Sequence, residues 1–136
     1  MSDCIFCKII AGEIPASKVY EDDQVLAFLD ISQVTPGHTL LVPKEHYRNL
    51  LEMDPNSASC LFAQAPVVAK KIMVATKASG MNIISNCEDV AGQTVFHTHV
   101  HLVPRYGADD DLKLDFIAHE PDFDKLAQVA ETIKNA

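Results

Sequence analysis

His97-Thr98-His99-Val100-His101 places three imidazoles at alternate positions, separated by β-branched residues. Side chains alternate faces along a β-strand, so on a strand running from Thr94 to Val103 these histidines share one face, each about 6 to 7 Å of rise from the next. Thr98, Val100 and Leu102 then point toward a core. On a helix, residues two apart diverge and the imidazoles do not converge. An imidazole is neutral near pH 7 and serves as metal ligand, proton carrier or nucleophile. Three ligands along one strand span too far to meet a single zinc ion at about 2.0 to 2.1 Å, although two neighbours can. A hydrogen-bonded core strand is the plainest reading. Covalent catalysis, with one imidazole attacking and its neighbours orienting it, is favoured by the preceding loop. There Gly92 lets backbone approach a ligand closely, Gln93 and Thr94 offer an amide and a hydroxyl, and main-chain N–H groups can complete an anion nest. An ordinary turn would carry the same residues.

The second constellation is Cys4-x-x-Cys7, half of a closed zinc site whose other ligands could come from His38, His46, His97, His99, His101 or His119. A thioredoxin-like redox pair would follow a strand in a βαβ context, which this region lacks. Cys60 and Cys87 read as ordinary thiols. The N-terminus has no secretory pattern and no run of about 18 apolar residues occurs, so a cytoplasmic protein with no membrane association is expected, its cysteines reduced or metal-bound.

These residues need elements to hold them. Ser2 or Asp3 can cap a helix over Cys4–Ile10, stopped by Gly12 and Pro15. Lys18–Glu21 and Val25–Leu29 read as strands joined at Asp22-Asp23, followed by a loop turning at Pro36-Gly37 and a strand ending near Pro43. Asp54 with Pro55 opens a helix toward Ser79 that stops at Gly80 and is kinked or divided by Pro66. Between Pro55 and Ala69 it carries no charge, so both of its sides should be covered. Met81–Ser85 is a strand, and Asp122 or the residues just before it cap a C-terminal helix. Strands and helices do not alternate regularly, which predicts an α+β fold with a mainly antiparallel meander sheet, a long helix and a C-terminal helix. The 136 residues suit one domain, 1–136. A formal charge of −8 without a basic stripe argues against binding a nucleic acid polymer.

The run Gly92–Arg105 resembles the His-x-His-x-His motif of the histidine triad (HIT) family of nucleotide hydrolases and transferases, and Cys4–His46 is similar to that family's N-terminal half. The resemblance implies a HIT-like fold and a hydrolase that cleaves the α-phosphate linkage of nucleotide phosphoramidates or dinucleoside polyphosphates through a nucleotidyl-histidine intermediate. It makes His99 the nucleophile, puts His101 on the phosphate and leaving group, and lets Gln93 and Thr94 hydrogen-bond phosphate oxygens. Asn86 would support ribose or phosphate, and Asp30 would take the ribose hydroxyls. Ile5, Phe6, Ile9, Ile14, Phe28 and Ile31 would line the slot for a purine base; for Ile5, Ile9 and Ile31 plain core packing is the rival reading. The family's bacterial zinc-containing members imply a structural Zn2+ on Cys4, Cys7, His46 and His97. The family also implies a homodimer, built on the uncharged helix and a neighbouring strand. His101 stands where the uridylyltransferase branch has Gln, which favours hydrolysis. The chain lacks Trp and has an acidic segment after Arg105, unlike the eukaryotic purine phosphoramidases. A nucleotide-binding, zinc-stabilised interaction protein with little turnover is the alternative.

Overall fold

A computed structural model of the chain describes residues 3–136. Helix α1 (Ile5–Ile10) precedes strands β1 (Lys18–Glu21), β2 (Val25–Leu29) and β3 (Thr39–Pro43). Helix α2 (Pro55–Thr76), strands β4 (Gly80–Ile84) and β5 (Val100–Arg105), and helix α3 (Phe123–Lys134) follow. The strands make one antiparallel sheet in the order β1-β2-β3-β5-β4. The first three form the expected meander; β5 then inserts between β3 and β4, which leaves β4 at an edge.

Alternation along the strands separates two apolar layers. Val25, Ala27, Leu41, Val100 and Leu102 face α2, whose Leu61, Ala65, Val68 and Ile72 form one buried stripe at helical spacing. Leu26, Phe28, Leu40 and Val42 face the other way, under Phe6 and Ile9 of α1. Each such side chain contributes about 1.5 to 3 kcal/mol on burial. His101 pairs with Leu40 across β3–β5 and so stands on the α1 side.

Several local expectations are corrected. Cys4, not Asp3, is the N-cap of α1, its Sγ accepting from the Cys7 N–H at 3.3 Å; Ser2 lies outside the described residues. Helix α2 runs unbroken through Pro66 and ends at Thr76, three residues early. Lys77 takes the left-handed C-cap at φ 58°, and Gly80 instead opens β4. Only one side of α2 is covered within the chain, and Phe62, Val67 and Val74 are exposed. By length and composition α2 could also cross a membrane, although its Leu61–Ile72 stripe packs on the sheet.

The histidine strand is shorter than predicted, beginning at Val100 rather than Thr94. Continuing the β3–β5 register would bring Pro43 opposite Thr98. Pro43 has no N–H to give the ladder, and its carbonyl is taken by the ring of His97 at 2.8 Å. Thr98 turns its N–H to the Tyr47 carbonyl instead, at 2.8 Å. His97 and His99 therefore sit on the approach to the strand and only His101 within it.

Candidate active site and metal cluster

The approach to β5 fixes His99 from its backbone outward. The Ser85 hydroxyl donates to the His99 carbonyl at 2.9 Å, and the buried His99 ring meets Phe6 edge-on, centroids 5.2 Å apart. Its Nδ1 lies 2.7 Å from the carbonyl oxygen of His97. A carbonyl only accepts, so Nδ1 carries the proton and the lone pair is left on Nε2. Burial is the main cause holding His99 below the ordinary histidine pKa, which keeps that lone pair available at neutral pH.

His101 has the complementary tautomer. The Val34 N–H donates to His38 Nδ1 at 3.2 Å, so the proton of neutral His38 resides on Nε2, 2.9 Å from His101 Nδ1. His101 Nδ1 is then the acceptor and its Nε2–H is free to donate. Burial pushes the His101 ring down to about 4, with His99 and His38 adding to the effect. The His99 and His101 rings are 5.0 Å apart. Lone-pair nitrogen and N–H donor thus stand side by side. Asp30 Oδ2 completes the row, 3.7 Å from His38 Nε2. The cluster Asp30, His38 and His101 could also hold a cation by proximity, but the His38–His101 hydrogen bond and the nearby Asp30 carboxylate account for its spacing. His38 entered the sequence reading only as one of six possible metal ligands; nothing local shows that β3 opens beside β5 with His38 at its head.

A cavity of about 400 Å³ adjoins this pair through Phe6. Its walls include Ile5, Phe6, Ile9, Ile14, Phe28 and Ile31, with Asp30 and Thr94 at the rim. Six apolar side chains that resemblance assigned to one slot therefore do meet around one. Phe6, Ile9 and Phe28 are also core, whereas Ile31 is fully exposed and Ile5 half exposed. For those two, plain packing is not the explanation. Asp30 Oδ1 accepts from the Ser32 N–H at 2.7 Å, which orients the carboxylate at the mouth. Asn86 is not in that wall; it lies against the loop, its amide 3.5 Å from the Gly92 carbonyl.

The loop before the histidines holds a correction. Gly92 has φ 98°, the left-handed region where glycine is favoured, and Thr94 is exposed toward the cavity. Gln93, expected on phosphate oxygens, is instead buried and fully committed. Its Nε2 donates to the carbonyls of Arg48 and Val95 at 2.7 and 3.1 Å. Its Oε1 accepts from Asn49 Nδ2 at 3.1 Å and the Glu88 N–H at 2.8 Å. An amide offers two donors and two lone pairs, so none remains for a ligand. The Gln93 side chain shapes the loop from beneath. Outside it, Glu88 is clasped by Arg48 at 2.7 and 2.8 Å and by Asn49 at 2.7 Å, and the Arg48 guanidinium holds its carboxyl down at about 2.

The metal-ligating candidates converge. Cys4 Sγ, Cys7 Sγ, His46 Nδ1 and His97 Nδ1 lie within 4.8 Å of one another. Sulfur to nitrogen separations are 3.3 to 3.5 Å and the two nitrogens are 3.2 Å apart. Tetrahedral bonds of about 2.3 Å to sulfur and about 2.0 to 2.1 Å to nitrogen require edges of about 3.6 and 3.4 Å. Because His97 Nε2–H donates to the Pro43 carbonyl, Nδ1 presents a lone pair to the cluster. Burial, with help from Cys4, pushes the Cys7 thiol up to about 11, so its thiolate form needs a cation beside it. The four residues could hold a metal ion.

A family model, the HIT domain, matches residues 11–108. The chain is 49% identical over 121 residues to the protein hit of Bacillus subtilis, covering 89% of this chain and 83% of that one. It is 37% identical over 126 residues to the adenosine 5'-monophosphoramidase of Saccharomyces cerevisiae, covering 93% and 77%. A crystal structure of a Streptococcus mutans protein, 61% identical, superposes with a TM-score of 0.96 over 99% of this chain and 85% of that one. With the triad, the sheet order and these likenesses in agreement, the chain belongs to the HIT family.

Proposed function

We propose that the protein hydrolyses the α-phosphate linkage of purine nucleotide phosphoramidates or dinucleoside polyphosphates through a nucleotidyl-His99 intermediate. The observation that carries this reading is the pair of opposite tautomers, lone pair on His99 Nε2 and N–H on His101 Nε2, beside an apolar slot of the right size for a base. The name of the yeast relative, a monophosphoramidase, supports the substrate class.

The base enters between Ile5 and Ile31, and Asp30 accepts from the ribose hydroxyls. His99 Nε2 attacks the α-phosphorus; a P–N bond forms as the bond to the leaving group breaks, and His101 Nε2–H hydrogen-bonds the leaving atom, which departs as a phosphate anion or, from a phosphoramidate nitrogen already protonated by solvent, as the neutral amine. Water then attacks the same phosphorus and gives a proton to solvent, the P–N bond breaks, His99 keeps its Nδ1–H, and nucleoside monophosphate departs. Thr94 and Asn86 stabilise charge on the phosphoryl oxygens; the main-chain N–H groups of Ala91, Gly92 and Gln93, expected to form an anion nest, instead donate to the Glu88 and Asp89 carbonyls within the loop. His38 acts through His101 as a positioning residue.

Zinc is the metal we assign to Cys4, Cys7, His46 and His97, in a structural role: a closed set of four sulfur and nitrogen ligands leaves no open position. It would tie α1 and the segment after β3 to the backbone that orients His99. We further read residues 1–136 as one domain acting as a cytoplasmic homodimer, two copies meeting through the exposed apolar face of α2 and the β4 edge, where Met73, Met81 and Ile83 lie together. Turnover decides the activity: release of adenosine monophosphate from adenosine phosphoramidate at a rate abolished in His99→Ala supports it, whereas nucleotide binding without turnover favours an interaction protein.

A further inference from the structure

Helix α3 has an apolar face that nothing among the described residues buries. Phe123, Leu126, Val129 and Ile133, spaced three and four apart on one face, are 76%, 56%, 46% and 70% exposed. No residue of α3 is buried, and a helix of 12 residues is marginal alone in water. The Streptococcus mutans crystal structure superposes over 99% of the chain with a TM-score of 0.96, a span that takes in the C-terminal segment. The family match ends at residue 108, before this segment begins.

An apolar groove of about 870 Å³ lies elsewhere on the surface, between β1 and the outer flank of α2. Val19, Pro66, Val67 and Val74 line it, with Lys70 and Lys71 at its rim. Residues 106–136 carry eight acidic and three basic side chains, and Glu120, Asp122 and Asp124 cluster where α3 starts. An acidic amphipathic helix and a lysine-rimmed apolar groove are complementary in both respects. Pro66, Lys70 and Val74 also border the α2–β4 face assigned to the homodimer, so a helix crossing from the other copy would arrive next to that contact.

We infer that α3 of each subunit docks into the α2–β1 groove of a second copy of this chain, so that the C-terminal segment is an arm exchanged between subunits. The inference rests on the homodimer reading. Arg105 anchors the root of the arm through Asp110 and the Leu112 carbonyl, and the ten residues from 113 to 122 can span up to about 33 Å.

The test is zero-length carbodiimide coupling of the full-length, metal-loaded protein at a concentration where light scattering shows the dimer. A peptide joining Lys70 or Lys71 to Glu120, Asp122 or Asp124 is expected in the band of doubled mass and not in the single-mass band. Recovery from the single-mass band would mean that the helix folds onto its own groove and would overturn the exchange. Amide hydrogen exchange gives a second readout: Val19→Asp, on the β1 wall of the groove and away from the α2–β4 face, should speed exchange throughout α3 at least tenfold while the molecule remains dimeric. Unchanged α3 protection would overturn the docking and leave the homodimer standing; a monomeric mass for the native chain would remove both.

Discussion

His99 Nδ1 donates to the carbonyl oxygen of His97 at 2.7 Å, while the His97 ring points its own Nδ1 at Cys4, Cys7 and His46. One residue thus faces the candidate metal ligands with its side chain and the proposed nucleophile with its backbone. Whatever moves His97 moves the hydrogen bond that selects the tautomer of His99.

Loss of metal should therefore impair chemistry at a distance. Cys4→Ser, or chelation of the native protein, is expected to lower thermal stability and to reduce kcat by on the order of tenfold or more, with a smaller effect on KM. Metal analysis, melting curves and steady-state kinetics on the same samples check this. Full activity in a metal-depleted sample would break the link between His97 and His99.

The acid side of the rate profile follows from burial. Burial holds His99 below the ordinary histidine range, so the acid limb of kcat/KM, where the proposed nucleophile is protonated, should be centred below 6.5. Stability has the same sign. The unfolded chain binds protons near 6.5 while folded His101 resists until about 4, so stability present above 6.5 is lost progressively as pH drops through that window. A kinetic limb centred above 6.5 would contradict the assignment.

Gln93→Ala separates support from contact. Because both ends of the amide are bonded to protein in a buried site, truncation should cost about 2 to 4 kcal/mol of stability, as expected for unpaired buried polar groups. A variant that melts like the parent but binds nucleotide poorly would restore the direct phosphate contact.

His38→Phe removes the donor that fixes His101 while filling the same space. A fall of about 10² in kcat is expected, since loss of one donor to developing charge typically costs about 10² to 10³, with KM nearly unchanged. His38→Gln, which can still donate to His101 Nδ1, should recover part of the loss. Equal loss in both variants would assign His38 to packing alone.

Most strand positions and the Asp54 and Asp122 caps were legible in the sequence because periodicity and capping chemistry are local properties. The Cys4, Cys7, His46 and His97 cluster was legible only through family resemblance: its ligands come from three segments whose meeting depends on the whole sheet. The inward turn of Gln93 was not legible, since its partners Arg48, Asn49 and Glu88 lie up to 45 positions away. Nor was the late start of the histidine strand, set by a proline on a different strand. The same limit hid His38: a histidine after Pro36-Gly37 looks like a loop residue until β3 is laid beside β5.

The most direct test of the account is rapid quenching of the native enzyme during turnover of a nucleotide phosphoramidate, followed by mass spectrometry under conditions that spare acid-labile P–N bonds. The account predicts a nucleotidyl adduct on His99, absent in His99→Ala, in which turnover should fall by more than the 10² to 10³ that loss of one oxyanion donor typically costs. An adduct on His97 or His101, or near-native turnover by His99→Ala, would contradict it.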